Sequence, residues 1–168
     1  MTTYRYAAYG SNLHPLRLNR RVPSATLIGT GFLPSWALQF SKRSDKDGTG
    51  KCTIFRDGEG VYLAIFEIDT SEKVKLDRCE GLGYGYNDLM LNVPQFGACM
   101  TYVADEGSID ESLTPVDWYK EYVLLGCEFN RFPYDYIERV RNIQSCEDFD
   151  KQRGRTEWEL VEEIRNST

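Results

Sequence analysis

Residues 4–14 read Tyr4-Arg5-Tyr6-Ala7-Ala8-Tyr9-Gly10-Ser11-Asn12-Leu13-His14. Aromatic and small residues fill five of the first six positions and three turn formers follow at once, so a short strand runs straight into a tight turn. A short helix from Pro15 comes next, and strand-like runs recur at residues 25–32, 36–41, 52–55 and 61–68. The polar stretch 42–51 between two of them is expected to be an exposed, mobile loop. Asp69 with Glu72 three residues on is a helix start in which the first side chain accepts from a free amide and the second returns the bond; Val74 and Leu76 give that helix a weak apolar face. Runs 88–93 and 98–104 flank Pro94-Gln95-Phe96-Gly97 and predict a hairpin.

After Leu113 the pattern changes. Thr114-Pro115 is a cap and first-turn pair for a helix through Leu125, and Pro133 opens another with Ile137, Val140 and Ile143 near helical spacing. The charged tail 146–168, crowded with Glu157, Glu159, Glu162 and Glu163, reads as a weaker, peripheral helix with a solvated face rather than a metal site. Strands come first and helices last, with no repeat or linker between them. That order predicts one α+β domain over 1–168: a small mixed, mostly antiparallel β-barrel flanked by helices concentrated in the C-terminal third.

Composition narrows the function. The 168 residues are 41% hydrophobic, and a chain of this length buries roughly 70% of the surface its unfolded form exposes, enough to hold a pocket without disulfides or structural metal. Twenty Lys and Arg against 26 Asp and Glu leave a net charge of -6, which disfavours attraction to phosphodiester backbones or anionic membranes. No run approaches the roughly 20 apolar residues of a membrane span, and the opening Met1-Thr2-Thr3-Tyr4-Arg5 lacks the apolar stretch of a signal peptide, so the chain reads as cytoplasmic. Cys52, Cys79, Cys99, Cys127 and Cys146 are scattered, with no Cys-x-x-Cys or Cys/His pairing; reduced, mostly buried thiols and no metal are expected. His14 reads as a surface residue beside the turn, Arg17, Arg20 and Arg21 as a solvated helix face, and the many aromatics as core.

Two segments can carry chemistry. In Tyr9-Gly10-Ser11-Asn12-Leu13, Gly10 permits a backbone geometry closed to other residues, and amides released by such a turn can converge on a carboxylate or a developing oxyanion. On its own the segment is simply a good turn. In Leu76-Asp77-Arg78-Cys79-Glu80-Gly81, followed by Leu82-Gly83-Tyr84-Gly85-Tyr86, Glu80 stands where a helix gives way to glycines, so its carboxylate can line a cleft and act as general base and then acid. On its own it reads first as a solvated helix end followed by a glycine stop.

Taken together and in this order, Tyr9-Gly10-Ser11-Asn12-Leu13 and Leu76-Asp77-x-x-Glu80-Gly81 with Tyr86 resemble the gamma-glutamylcyclotransferase family. The resemblance runs from about Tyr4 to Tyr102. It continues more faintly from Tyr119 to Ile143, where Tyr119 with Gly126 seven residues on, then Pro133-x-x-Tyr136, look like the family's C-terminal helical part; the tail after Ser145 falls outside it. The family's fold is a small mixed barrel flanked by helices. Its reaction closes a γ-glutamyl group on itself, giving 5-oxoproline and a free amine or amino acid.

The resemblance implies that Tyr9, Gly10, Ser11, Asn12 and Leu13 hold the γ-glutamyl moiety, that Glu80 is catalytic, and that Tyr86 and Tyr136 lie at the substrate pocket. Independent chemistry agrees. The nucleophile is the substrate's own α-amine, so neither a covalent Ser or Cys nor a cofactor is required, and a single carboxylate can move the proton from the attacking nitrogen to the leaving one. Relatives often carry a basic residue after Tyr86, whereas this chain has Asn87-Asp88, which is expected to alter how the pocket treats an anionic leaving part. The expected partner is a small γ-glutamyl molecule, with neither nucleic acid nor membrane, and the chain acting alone or as a homodimer. A non-catalytic binding or regulatory protein on the same fold, or a biosynthetic lyase removing a γ-glutamyl group from a larger amine, are the alternative readings.

Overall fold

A computed structural model describes residues 2–167. The strands are β1 (Thr3–Ala8), β2 (Thr26–Leu33), β3 (Trp36–Arg43), β4 (Gly50–Arg56), β5 (Val61–Asp69), β6 (Tyr86–Val93) and β7 (Gly97–Ala104). The helices are α1 (Pro15–Asn19), α2 (Lys73–Glu80), α3 (Asp117–Phe129), α4 (Tyr134–Arg141) and α5 (Lys151–Asn166). Five strands form one sheet in the order β2-β5-β1-β7-β6, while β3 and β4 pair with each other. All pairings are antiparallel except β1 with β7. The architecture is therefore the expected α+β one, with the longer helices in the last third.

The barrel is not closed by backbone pairing. The two ladders do not join through strand pairing; side chains span the gap instead. Thr53 on β4 accepts from the Ala104 N–H of β7 at 3.0 Å, and the Tyr86 hydroxyl of β6 donates to the Cys52 carbonyl of β4 at 2.6 Å. Because β1 and β7 run parallel, their C-terminal ends open on the same rim, where the Tyr9–Leu13 turn leaves the sheet.

Burial explains why β1 and β5 are central. Tyr6, Ala7 and Ala8 are buried, as are Leu63, Ala64, Ile65 and Phe66 in β5, giving the continuous apolar runs of strands covered on both faces.

Three local expectations change. Stretch 42–51 is a short closed turn between two paired strands: β3 continues to Arg43, β4 begins at Gly50, and the turn between them is closed by Ser44 N–H to Thr49 O at 3.0 Å, with Lys42 and Ser44 buried. Asp69 does accept from the Ser71 N–H at 2.9 Å, but Glu72 turns away to the Ser24 N–H at 2.9 Å instead of returning the bond. Helix α3 starts at Asp117 rather than Pro115 because Val116 pairs with Cys146, which holds the chain extended. The acidic tail forms α5, capped by Asp150 and packed on α3.

Candidate active site

The turn after β1 is held from behind. Leu13 donates its N–H to Gly10 O at 3.2 Å and is fully buried against α3, where a Cβ on Gly126 would lie 2.3 Å from the Leu13 Cβ. Asn130 fixes the Leu13 carbonyl at 3.0 Å. His14 is buried too, contrary to the surface reading: its Nδ1 accepts from the Leu16 N–H at 3.1 Å to cap α1, and burial pushes its proton affinity down. The reason for glycine at position 10 also differs from expectation. Gly10 does not adopt a left-handed conformation; a Cβ there would meet the Cys52 Cβ at 2.9 Å. Close approach of the turn to β4 sets the requirement.

Helix α2 delivers the carboxylate. It ends at Glu80 because Gly81, at φ 73°, takes the left-handed cap position and the Leu82 N–H returns to Asp77 O. The Glu80 side chain, 17% exposed, then faces the turn. Its Oε1 accepts from Asn12 Nδ2 at 2.7 Å and from Arg21 Nη1 at 3.1 Å, and Arg21 also donates to Asn12 Oδ1 at 3.2 Å. No hydrogen bond engages Oε2 among the described residues. Arg21 and Arg17 thus leave the solvated face assigned to them: Arg17 is buried with its guanidinium 4.0 Å from the Tyr122 ring centroid, and only Arg20 behaves as a surface residue, paired to Glu163. The four-residue spacing of Arg17 and Arg21 just after the turn was the available signal.

Tyrosines complete the wall. Tyr6, Tyr9, Tyr86, Tyr102 and Tyr119 surround a small inner pocket of about 20 Å³ with Gly10, Ser11, Cys52 and Glu80, room for little more than one water-sized group. Burial raises the pKa of the Tyr6, Tyr9, Tyr86 and Tyr119 hydroxyls, which keeps them protonated, and pushes the Cys52 thiol up to about 12, which removes it as a nucleophile. Their protons are differently committed. Tyr9 donates to Tyr102 O and Tyr86 to Cys52 O, so those two are spent on the backbone. Tyr119 instead accepts from the Cys52 N–H at 3.0 Å and Tyr6 from Asn12 Nδ2 at 3.2 Å, so each retains a proton to give. The N–H groups of Ser11 and Asn12 have no hydrogen-bond acceptor among the described residues.

Ser11, Glu80, Tyr86 and Tyr119 also line a wider cavity of about 330 Å³ outside the inner pocket. The two form one cleft with Glu80 at the junction. Of the residues singled out from sequence, Tyr9, Gly10, Ser11, Asn12, Glu80 and Tyr86 meet here. Leu13 stands behind the turn as its anchor. Tyr136 lies elsewhere, buried on α4 against Tyr62 and Phe132. Asn87 and Asp88 are exposed, Asp88 lies 3.5 Å from Lys73, and neither lines the cleft. Tyr6, Tyr102, Arg21 and Lys42 escaped the sequence reading because only tertiary pairing brings them to Glu80. Tyr119 had marked the start of a motif without a place in the site.

Among the described residues no group of three or more His, Cys, Asp or Glu is placed to hold a metal ion, and no helix is long and apolar enough to cross a membrane. Cys52, Cys99 and Cys127 are buried, whereas Cys79 and Cys146 are exposed.

No family model matches the chain. Individual proteins do. Gamma-glutamylcyclotransferase of Bos taurus is 30% identical over 149 residues, spanning 84% of this chain and 79% of that protein. The Homo sapiens protein of the same name is 30% identical over 152 residues, with the same coverage. A solved gamma-glutamyl cyclotransferase superposes with a TM-score of 0.82 at 24% identity, covering 96% of this chain and 99% of its own, and so shares the fold. With its Tyr9–Leu13 turn and Glu80 in one cleft, the chain belongs to the gamma-glutamylcyclotransferase family of enzymes.

Proposed function

We propose that the protein converts a γ-glutamyl compound into 5-oxoproline and a free amine or amino acid, with Glu80 carrying the proton. The observation that supports this best is the half-paired carboxylate: Oε1 is anchored by Asn12 and Arg21 while Oε2 is left to the cleft. A carboxylate meant only to stabilise would have both oxygens engaged.

In the first step Glu80 takes a proton from the substrate α-ammonium. The freed nitrogen attacks the γ-carbon, a C–N bond forms, and the carbonyl π pair moves onto oxygen. The inner pocket suits that oxygen: it is single-atom in scale, and the unpaired N–H groups of Ser11 and Asn12 and the Tyr119 hydroxyl are at hand to donate. On collapse the bond from the γ-carbon to the leaving nitrogen breaks as protonated Glu80 returns its proton to that nitrogen; Glu80 then takes the second proton from the ring nitrogen and passes it to the freed amine, so the products are the neutral lactam and an ammonium. Atoms and charge balance, with Glu80 restored.

The test is 5-oxoproline release from the purified protein with γ-glutamyl amino acids, γ-glutamyl-ε-lysine, simple γ-glutamyl amines and glutathione. Release is expected from part of this panel, and Glu80→Gln should lower it by about 100-fold or more. Near-normal turnover by a folded Glu80→Gln variant overturns the role of Glu80; silence of the wild type across the panel overturns the activity.

A further inference from the structure

The outer cavity is cationic in an acidic protein. Seven Lys and Arg side chains line it against four Asp and Glu, although the chain as a whole carries a net charge of -6. Most of the buried or half-buried cations are already neutralised: Arg21 by Glu80, Lys51 by Asp47, Arg153 by Asp148, Arg17 less closely by Glu157. Lys42 is the exception.

Lys42 reaches the cavity from β3 and is 5% exposed, yet no carboxylate lies within 4 Å among the described residues. Its ammonium has one long hydrogen bond, 3.4 Å to the Tyr84 carbonyl, and sits 4.9 Å from the Tyr86 ring centroid. Two of its three N–H donors are thereby left without a partner. Its stem is held rather than free: a Cβ on Gly85 would lie 2.7 Å from Lys42 Cε, so glycine at 85, at φ 100°, makes the space it occupies. A buried ammonium without a counter-charge is costly unless something supplies one.

The reaction chemistry says what. The substrate's glutamyl α-carboxylate is bonded to the same carbon as the α-amine that Glu80 deprotonates, so it falls near Arg21, which touches Glu80. The leaving amine lies across the γ-carbonyl from that carbon, and a carboxylate on it needs a second cation. Resting on the cyclotransferase reading of this cleft, we propose that Lys42 is a specificity-determining residue that binds a carboxylate of the leaving part, so that γ-glutamyl compounds of amino acids or peptides are turned over in preference to those of neutral amines.

The experiment compares γ-glutamyl-alanine with γ-glutamyl-ethylamine in wild type, Lys42→Met and Lys42→Arg, reading kcat and KM for 5-oxoproline release and checking each variant's melting temperature. The wild type should favour the acid by about tenfold or more in kcat/KM, carried mainly by KM, as expected for a charge-assisted contact made outside the reacting atoms. Lys42→Met should remove most of that preference and Lys42→Arg should keep it. Equal losses on both substrates in Lys42→Met, or a preference that survives it, overturn the assignment of Lys42 while leaving the cyclotransferase reading intact. No release from either substrate by wild type overturns that reading and this one with it.

Discussion

Asp148 and Glu80 each pair with an arginine, and they differ in how completely they are satisfied. Asp148, at the start of the tail, accepts from Trp118 Nε1 and Arg153 Nε on one oxygen, and from Arg153 Nη2 and the Asp150 N–H on the other. Its side chain is 3% exposed, and the Arg153 bond holds its pKa down at about 2. Glu80 has an arginine as well, but both of its bonds converge on one oxygen. The saturated carboxylate ties the tail to α3, whereas Glu80 keeps one oxygen open to the cleft. Pairing alone does not separate a structural acid from a chemical one. The unused lone pairs do.

The sharpest way to break this contrast is the isosteric amide at each position. Glu80→Gln should lower 5-oxoproline release by about 100-fold or more with a melting temperature close to wild type. Asp148→Asn should do the reverse, costing on the order of 2 kcal/mol of folding stability in urea unfolding at neutral pH while the folded fraction turns over normally. Because folded Asp148 holds its proton less tightly than the unfolded chain does, this contribution is fully present above the ordinary carboxylate range and is lost as the pH falls through about 2. The gap in stability between wild type and Asp148→Asn should therefore close on acidification; a gap that stays constant down to pH 2 sinks the ion-pair account.

Arg21→Met probes the anchor without touching the proton carrier. With Asn12 alone left to orient Glu80, kcat should fall by about tenfold, well short of the loss in Glu80→Gln; an equal loss would mean that Arg21 takes part in the chemistry itself. The smallest effect belongs to the surface pair of Arg20 with Glu163, whose side chains are 47% and 62% exposed. Arg20→Gln should change stability by less than about 0.5 kcal/mol, and increasingly little at high salt.

Much of the site was legible along the chain. Tyr9–Leu13 and Glu80 announce themselves because a strand-to-turn junction and a helix ending in glycine are local events, written in neighbouring residues. The same locality allowed errors where a residue has two uses. His14 looked exposed because a turn usually is, but its side chain caps the helix that follows. Stretch 42–51 looked like a loose loop because it is polar, but its polarity lines a cavity. Gly10 was correctly marked as special for the wrong reason: the sequence shows that a side chain is missing, while only the packing of Cys52 against the turn shows what that side chain would strike.

What the sequence by itself determined is the order of elements, the place of the turn and of a carboxylate at a helix end, and an acidic net charge. These depend on periodicity, capping and composition, which act over a few residues or over the whole. The tertiary structure alone decided that Asn12 and Arg21 share one oxygen of Glu80, that Tyr119 faces the pocket with a proton to give, and that Lys42 is buried without a counter-charge. Each rests on groups tens of residues apart meeting within hydrogen-bond distance or failing to meet, and such coincidences arise from how the strands stack, which no local pattern encodes.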